Sequence, residues 1–199
     1  CFYASQTYND IPERDGRRIL VPWGQMATPG MPFNQMMGIP VELTLRKTEE
    51  GLRLFTNPVR ELEKLRAKCV GFKSETLHAD RNPFSAVTGE LLDIEVELSP
   101  GSAEELTFLL RGVPVVYDVS HQELRCQDRK AVLKPINGKI RLRFLVDRTS
   151  IDIFGNNGQL YMPMGVLVPS HNFSVVLSMK GQGARLEAAK AFILKSAWR

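Results

Sequence analysis

Two acidic residues in a hairpin-like segment are the first candidates for chemistry. Asp147 and Asp152 stand five positions apart, and retaining hydrolysis of a glycosidic bond uses two carboxyl groups roughly 5 Å apart, one as nucleophile and one as acid and base. An odd spacing along a strand, however, places two side chains on opposite faces, and the turn at 148–150 separates these two further. We therefore expect Asp147 to bond to the turn backbone and Asp152 to lie on a solvent-facing surface.

A second acidic group alternates with apolar residues. Asp93, Glu95 and Glu97 occupy every other position of one strand-like run, so their side chains share one face. The residues that alternate with them, from Leu92 to Leu98, are apolar and belong on the inward face. This pattern is typical of a solvated sheet face, and we expect no catalytic trio there.

Other kinds of catalytic or metal site lack their usual residue patterns. No Gly-x-Ser-x-Gly motif is present to support a nucleophilic serine. The histidines stand singly and the cysteines are widely spaced with no Cys-x-x-Cys pair, so neither a zinc site nor another cofactor is predicted. These residues are His78, His121, His171, Cys1, Cys69 and Cys126.

The segments that carry these residues all have the sequence pattern of β-strands. In the first segment, four strand-like runs at residues 2–8, 17–23, 36–47 and 53–56 are separated by turn-rich stretches. Four consecutive antiparallel strands make one blade of a β-propeller. The charged run after Asn57-Pro58 has apolar positions at helical spacing. We therefore predict a blade at residues 1–60, a linker at 61–67 and a second domain at 68–199.

The second domain has about ten short candidate strands, which predict a two-sheet antiparallel β-sandwich. The fold class is accordingly all-β: one four-stranded antiparallel sheet followed by a β-sandwich. The candidate strands lie at residues 68–77, 85–98, 105–111, 114–118, 124–127, 130–133, 140–147, 150–154, 160–163, 173–180 and 184–195.

Composition excludes several classes of protein. With 43% hydrophobic and 24% charged residues among 199, the chain has the composition of an ordinary globular protein. Its apolar runs are far shorter than the roughly 18 residues of a spanning helix, so no membrane is predicted as partner. The net charge of +4 is scattered, and the basic stretch at 125–134 lacks aromatic residues, so no nucleic acid is predicted. Nothing in the sequence assigns a cellular compartment.

Six short stretches carry a resemblance to a known family. They are FYASQTY at 2–8, GRRILVPW at 16–23, FNQMMGIPVELTLR at 33–46, GLRLFTNPV at 51–59, DRTSIDIF at 147–154 and LKSAW at 194–198. The first four resemble the last blade of the five-bladed propeller of glycoside hydrolase family 32. The fifth is similar to the signature hairpin of that family's C-terminal β-sandwich, and the sixth to its usual ending.

The resemblance implies a parent enzyme that cleaves β-fructosides, such as sucrose, inulin or levan, with retention. It also implies a nucleophile in an Asn-Asp-Pro-Asn-Gly-type motif, a stabilising aspartate in an Arg-Asp-Pro motif and an acid/base glutamate beside a cysteine. None of these motifs occurs in this chain. We therefore expect a C-terminal fragment that is inactive alone and whose parent binds a fructose-containing saccharide.

Tyr3 and Trp23 are the candidate substrate-binding residues. Aromatic rings with a polar handle suit a sugar, which presents apolar C–H faces and a rim of hydroxyls. The resemblance implies that both lie near the fructosyl subsite, and packing within the blade is the alternative. The family has an aspartate just before its Phe-Tyr-Ala motif, where this chain has Cys1.

Two questions stay open at this point. The sandwich could instead be a non-catalytic carbohydrate-binding or structural module, for which its scattered aromatic residues would have to share one face; packing in the core is favoured for them. The incomplete blade leaves sheet faces and an edge without partners, which predicts possible self-association. The aromatic residues in question are Tyr117, Phe154, Tyr161 and Trp198.

Overall fold

The computed structural model describes residues 2–197, and most of them lie in β-strands. Two short 3-10 helices span Arg60–Leu65 and Asn156–Gly158. No helix in this range is long and apolar enough to cross a membrane. The strands are β1 (Phe2–Thr7), β2 (Arg18–Gly24), β3 (Met36–Met37), β4 (Val41–Thr48), β5 (Gly51–Pro58), β6 (Arg66–Gly71), β7 (Glu75–Thr76), β8 (Leu92–Ser99), β9 (Glu105–Leu110), β10 (Val113–Asp118), β11 (Glu123–Cys126), β12 (Arg129–Val132), β13 (Ile140–Val146), β14 (Ser150–Gly155), β15 (Leu160–Gly165), β16 (Val175–Lys180) and β17 (Arg185–Leu194).

The first five strands form the N-terminal sheet. Its order is β1-β2-β4-β5, with β3 paired to β2, and all pairings are antiparallel. The predicted run at 36–47 is therefore two strands. Gly38 causes the break, because its backbone passes so close to β2 that an added Cβ would lie 2.5 Å from the ring of Pro22. The predicted four-stranded, blade-like sheet is confirmed, with β3 as an addition.

A 3-10 helix connects this sheet to the rest of the chain. The N-terminal sheet ends at Pro58, the helix spans Arg60–Leu65, and the next strand begins at Arg66. Arg17 donates from its two Nη atoms to the carboxylate of Glu61 at 2.8 and 2.9 Å, which fixes the helix to the turn before β2. A bidentate pair of this kind defines an orientation as well as a contact.

The remaining strands form an antiparallel β-sandwich, as predicted. The five-stranded sheet has the order β12-β11-β10-β9-β16, and the seven-stranded sheet has the order β15-β14-β13-β8-β17-β6, with β7 beside β17. One large core fills the space between them. The rings of Phe108 and Phe144, one from each sheet, meet there at 4.9 Å. Alternation of buried and exposed residues along most strands produces this core.

Two strand predictions in the sandwich were too long. The run predicted at 85–98 is a strand only from Leu92, because the preceding residues form a turn anchored by the fully buried ring of Phe84. The amide of Val87 donates to the carbonyl of Phe84 at 2.8 Å. The run predicted at 68–77 is divided into β6 and β7. In both cases residues typical of strands continue through a segment that forms a turn, and tertiary packing stabilises that turn.

The N-terminal sheet packs against the outer face of the seven-stranded sheet. A second, smaller core lies between them, formed by Val41, Leu145 and Phe154 with half-buried neighbours around it. As a result every residue of β14 is buried, since one face of this strand contacts the sandwich core and the other contacts the N-terminal sheet. The seven-stranded sheet is thus covered on one side completely and on the other side in part.

Candidate functional site

The structure brings together the two residues predicted to bind substrate. Tyr3 on β1 and Trp23 on β2 are directly opposite each other in the register. Their ring centroids lie 6.1 Å apart at an interplanar angle of 55°. Tyr3 is 61% exposed, and Trp23 is half-buried. The pair therefore presents an aromatic, partly wetted surface at the edge of the N-terminal sheet.

The backbone next to this aromatic pair is irregular. The pairing of β1 with β2 shifts register after Tyr3, and Ala4 has a φ of 39°, which is uncommon for a residue with a side chain. Bulges of this kind redirect side chains at sheet edges and next to functional sites. The regular pairing of β1 with β2 is thus interrupted just beyond Tyr3, on a strand that has no partner on its other side within residues 2–197.

A close approach behind Trp23 connects the aromatic pair to the sandwich. Gly24 lies against Met36, and an added Cβ would be 2.8 Å from the methionine side chain. The sulfur of Met36 accepts a hydrogen bond from the hydroxyl of Thr149 at 3.1 Å. Thr149 is itself buried in the turn between β13 and β14. The position of Trp23 is therefore coupled to the predicted signature hairpin.

Three aromatic rings also connect the N-terminal sheet to the sandwich. Phe2 meets Tyr161 edge to face at 5.9 Å, and Tyr161 stacks on Phe154 at 4.8 Å with an interplanar angle of 10°. Both arrangements are favourable for aromatic quadrupoles. Since neighbouring residues of a strand point to opposite faces, Phe2 anchors β1 to the sandwich while Tyr3 faces away from it.

Asp152 lies beneath these rings, and its predicted solvent exposure was wrong. Its side chain is 2% exposed, and it accepts a hydrogen bond from the hydroxyl of Tyr161 at 2.7 Å. Burial raises the pKa of Asp152 to about 6, although hydrogen bonds from Tyr161 and Ser150 oppose the rise. Burial also raises the pKa of Tyr161. Ser150, Asp152 and Phe154 share the outer face of β14, and the N-terminal sheet covers this face.

The acidic face of β8 is occupied by ion pairs. Asp93 is 1% exposed and accepts two hydrogen bonds from Arg66, at 2.6 and 2.8 Å, and two from Arg143, at 2.8 and 2.9 Å. Glu95 also pairs with Arg66. Glu97 pairs with Lys139 and Arg141, and these hydrogen bonds lower its pKa.

The predicted common face of the three carboxylates is therefore confirmed, but the prediction that Asp93 is solvated was wrong. The arginines replace water as its partners, since a buried carboxylate needs such pairing. A carboxylate held by two guanidinium groups serves neither as a proton donor nor as a free nucleophile. No acid/base pair arises on this face.

The remaining sequence candidates have structural roles. Asp147 accepts a hydrogen bond from the backbone amide of Arg148 at 2.7 Å, as predicted for a turn residue. Within residues 2–197, no group of three or more histidine, cysteine, aspartate or glutamate residues is arranged to hold a metal ion. Cys1 lies outside the described residues.

Among the described residues, the candidate aromatic side chains of the sandwich do not form an exposed platform. Tyr117 is buried, donates its hydroxyl to the carbonyl of Leu133 at 2.9 Å, and has its pKa raised to about 12 by burial. Phe154 is also buried, so core packing is confirmed for these two. Trp198 lies outside the described residues.

Two larger concavities flank the contact between the N-terminal sheet and the sandwich. The first, which we call the polar groove, has a volume of about 400 Å³ and lies over β8, β13 and β17. The second, the apolar groove, has a volume of about 640 Å³ and lies between the 3-10 helix at 60–65, the loop at 31–39 and the segment at 194–197. A cavity of about 10 Å³ separates Trp23 from Asp152.

Comparisons with known proteins identify one family model and several individual proteins that this chain resembles. The family model described as the C-terminal part of glycosyl hydrolases family 32 matches residues 61–164. A levanase of Bacillus subtilis is 31% identical over 99% of this chain and 33% of its own length. A levanase of a second Bacillus strain is 28% identical over 100% of this chain and 24% of its own length. The chain thus spans about a third or less of the length of these relatives.

Solved structures share the fold at lower identity. An exo-inulinase from Aspergillus awamori superposes with a TM-score of 0.81 at 19% identity, covering 99% of this chain and 44% of its own. A fructan 1-exohydrolase from Cichorium intybus gives a TM-score of 0.75 at 17% identity, covering 98% of this chain and 48% of its own. The likeness extends over both the N-terminal sheet and the sandwich.

Proposed function

The chain belongs to glycoside hydrolase family 32, and we propose that it is the C-terminal part of an enzyme that hydrolyses terminal β-fructosyl bonds with retention. The observation that carries the proposal is the match of the sandwich to the family's C-terminal model, over residues 61–164. Sucrose, inulin and levan are the candidate substrates, in keeping with the levanase relatives.

We propose that this chain alone does not catalyse the reaction. Retaining hydrolysis requires two free carboxyl groups roughly 5 Å apart. Asp93, Glu95 and Glu97 are engaged by arginine or lysine side chains, and Asp152 is buried against Tyr161. These contacts support a parent in which the catalytic carboxylates belong to a part of the polypeptide outside residues 1–199.

Tyr3 and Trp23 are proposed to contact the substrate in that parent. Their opposed positions in the register and the exposure of Tyr3 support this role. Two rings at a 55° angle offer one wall of a pocket for the C–H face of a sugar. The location of Tyr3 on the edge strand β1 also supports it, because residues at a sheet edge can face a funnel completed by other blades.

The N-terminal sheet is proposed to be covered by further polypeptide or by self-association. It carries eight of the twelve exposed large apolar side chains of residues 2–197, although it and its loops account for less than a third of that range. Leu45 and Leu54 are directly opposite each other in the register, so part of this apolar surface is contiguous, and contiguous exposed apolar surface is uncommon on a soluble monomer. These eight are Phe2, Tyr3, Tyr8, Phe33, Met37, Leu45, Leu52 and Leu54.

We also propose the division into a blade at 1–60, a linker at 61–67 and a sandwich at 68–199. The sandwich has its own large core, whereas the N-terminal sheet shares only the small core around Val41, Leu145 and Phe154. A lone sheet without a second layer is marginal in water. This asymmetry supports a blade that depends on its neighbours.

An activity assay tests both halves of the proposal. The purified chain should release no fructose from sucrose, inulin or levan above a buffer control. A chimaera in which this chain replaces the matching C-terminal part of the Bacillus subtilis levanase should release fructose with retained anomeric configuration, measured by NMR. The same levanase lacking that part is the control.

Two results would contradict the proposal. Turnover by the chain alone that is abolished by changing a single carboxylate within residues 1–199 would reveal a catalytic site in it. A folded chimaera without activity would argue against the assignment to a β-fructosidase.

A non-catalytic carbohydrate-binding role is the second candidate. The polar groove favours it, because this concavity lies on the sandwich and away from Tyr3 and Trp23. The two roles are compatible, since a hydrolase of a polymer can hold its substrate at more than one place.

A further inference from the structure

Two asparagines in the chain are followed directly by glycine, Asn137 by Gly138 and Asn157 by Gly158. An Asn-Gly pair favours spontaneous deamidation, because glycine has no Cβ to hinder attack by its backbone nitrogen on the asparagine side chain. The other asparagines of the chain precede larger residues. The structure places the two Asn-Gly pairs in different surroundings, and these surroundings decide whether each pair can react.

Deamidation converts the asparagine amide and water into a carboxylic acid and ammonia. The backbone nitrogen of the glycine loses its proton to hydroxide and attacks the side-chain carbonyl carbon of the asparagine. A C–N bond forms to this nitrogen, and the bond from the same carbon to Nδ2 breaks as ammonia leaves. Water then opens the cyclic imide at either carbonyl, which gives aspartate or isoaspartate. Since the attacking nitrogen must be deprotonated, the rate rises with pH.

The first pair, Asn137 and Gly138, forms the tip of a two-residue turn. Both residues have a positive φ, 51° and 74°, as an Asn-Gly hairpin turn requires. Backbone hydrogen bonds between Ile136 and Lys139, at 2.8 and 3.1 Å, close the turn. Both tip residues are exposed, and within residues 2–197 neither the side chain of Asn137 nor the amide of Gly138 has a hydrogen bond. The attacking nitrogen and the attacked carbonyl are therefore both free.

The tip of this turn is also free to move. A Cβ added at Gly138 would meet no atom within 4 Å among residues 2–197. Closure of the imide ring requires rotation about the Cα–C bond of the asparagine, away from the left-handed conformation of the turn. At Asn137 this rotation breaks only the two hydrogen bonds of the turn, and an exposed loop tip with few contacts opens at low free energy.

The second pair is held by the N-terminal sheet. Asn157 lies in the 3-10 helix at 156–158, and its backbone carbonyl accepts a hydrogen bond from Nδ2 of Asn57 at 3.0 Å. Gly158 is buried beneath β5, where an added Cβ would be 2.5 Å from the backbone oxygen of Thr56. Rotation at Asn157 would break the hydrogen bond and press this glycine against β5. The second pair is therefore blocked, although the side chain of Asn157 is exposed.

We propose that Asn137 is a deamidation site of the folded protein and that the docked N-terminal sheet protects Asn157 from the same reaction. Deamidation at Asn137 replaces a neutral amide with a carboxylate, which lowers the net charge of +4 by one unit. The isoaspartate product also adds a methylene to the backbone of a turn whose geometry depends on its two-residue length. The connection between β12 and β13 is thus the place where the folded chain changes chemically with time.

Peptide mapping by mass spectrometry tests the proposal on the purified full chain. The chain is incubated at neutral and at mildly alkaline pH in water labelled with heavy oxygen, which distinguishes reaction in the intact protein from reaction during digestion. We expect label at Asn137, more of it at the higher pH, and a rate about tenfold lower or less at Asn157. One hydrogen bond and one packed contact change an opening equilibrium by about that factor. In guanidinium chloride the two sites should react at similar rates.

Three variants identify the cause of the difference. Asn137→Gly keeps a residue suited to the positive φ of the turn and should abolish the acidic species that ion-exchange chromatography separates. Asn57→Ala removes the hydrogen bond to Asn157 and should raise labelling at Asn157 while leaving Asn137 unchanged. Asn34→Gln is the matched control, because Asn34 is exposed but not followed by glycine, and it should leave the acidic species unchanged.

Other outcomes overturn the proposal. Absence of label at Asn137 in the folded chain, or equal labelling of Asn137 and Asn157, contradicts the difference between the two pairs. Unchanged labelling of Asn157 in Asn57→Ala shows that the N-terminal sheet does not protect it. An acidic species that persists undiminished in Asn137→Gly places the main reaction at another residue. None of these measurements uses hydrolase activity, so the proposed function is tested separately.

Discussion

Replacing Asp152 with asparagine should change how stability depends on pH. The carboxyl group of Asp152 is buried between β14 and the N-terminal sheet, and burial raises its pKa from 3.8 to about 6. At about 1.4 kcal/mol per pH unit, this rise corresponds to about 3 kcal/mol of unfolding free energy. The asparagine variant keeps an oxygen that can accept the hydrogen bond from Tyr161 but carries no charge.

The sign of the effect follows from the two protonation states. Well below pH 4 the carboxyl is protonated in both the folded and the unfolded chain, so it costs nothing. Between about pH 4 and pH 6 the unfolded chain ionises while the buried carboxyl stays protonated, so the stability of the folded chain falls across this window and the loss levels off above about pH 6. The free energy of unfolding of Asp152→Asn minus that of the unchanged chain should therefore increase by about 2.4 kcal/mol between pH 4 and pH 7, because a small part of the total effect is already present at pH 4.

Urea unfolding at pH 4, 5, 6 and 7 provides the measurement, with linear extrapolation to water. Taking the difference in unfolding free energy between the two chains cancels the contributions of the other titrating groups. Asp118 is one of these groups: its hydrogen bonds lower its pKa, so its effect on stability has the opposite sign. Asp128→Asn is the control, because this exposed carboxylate lies on the turn between β11 and β12, in the sheet that does not contact the N-terminal sheet. A difference for Asp152→Asn that does not change with pH would refute the reasoning.

Three further predictions concern the elements that hold the fold together. Gly158→Ala should lower stability by about 2 kcal/mol more than Gly138→Ala. Both glycines have a positive φ, but of the two only Gly158 has a neighbour, the backbone of Thr56, at 2.5 Å from an added Cβ. Thermal unfolding of the two variants measures the difference. Arg111→Ala should cost about 3 kcal/mol in urea unfolding, since the buried guanidinium donates to three backbone carbonyls, and equal stability would contradict this. Limited trypsin digestion should cut first at 60–66 and leave a sandwich fragment; earlier loss of the sandwich would disprove the proposed division.

Local patterns in the sequence predicted what depends on local chemistry. Alternation along β8 identified its inward residues, and the turn after Asp147 identified the role of that carboxylate. Both predictions succeeded because the side-chain alternation of a strand and the conformation of a turn depend on residues close in the sequence. The opposed positions of Tyr3 and Trp23 were not predicted, because they depend on the register between two strands whose pairing contains an irregularity. The all-β class and the antiparallel sandwich depend on the same short-range signals.

The predictions of solvent exposure were wrong where a distant part of the chain covers the residue. Asp93 and Asp152 both lie on the outer face of the seven-stranded sheet, which alternation alone marks as solvated. Arg66, on a different strand, and the N-terminal sheet cover them instead. Neither contact leaves a mark within the few residues around each aspartate, so the burial of these carboxylates could not be predicted from their own segments.

The contact at Gly158 connects the two candidate ligand sites. Asn57 and Asn157 form a wall of the polar groove, and the same packing holds the N-terminal sheet, with its aromatic pair, against β14 and β15. A change in the angle of the N-terminal sheet would therefore alter the width of the groove and the position of Trp23 together.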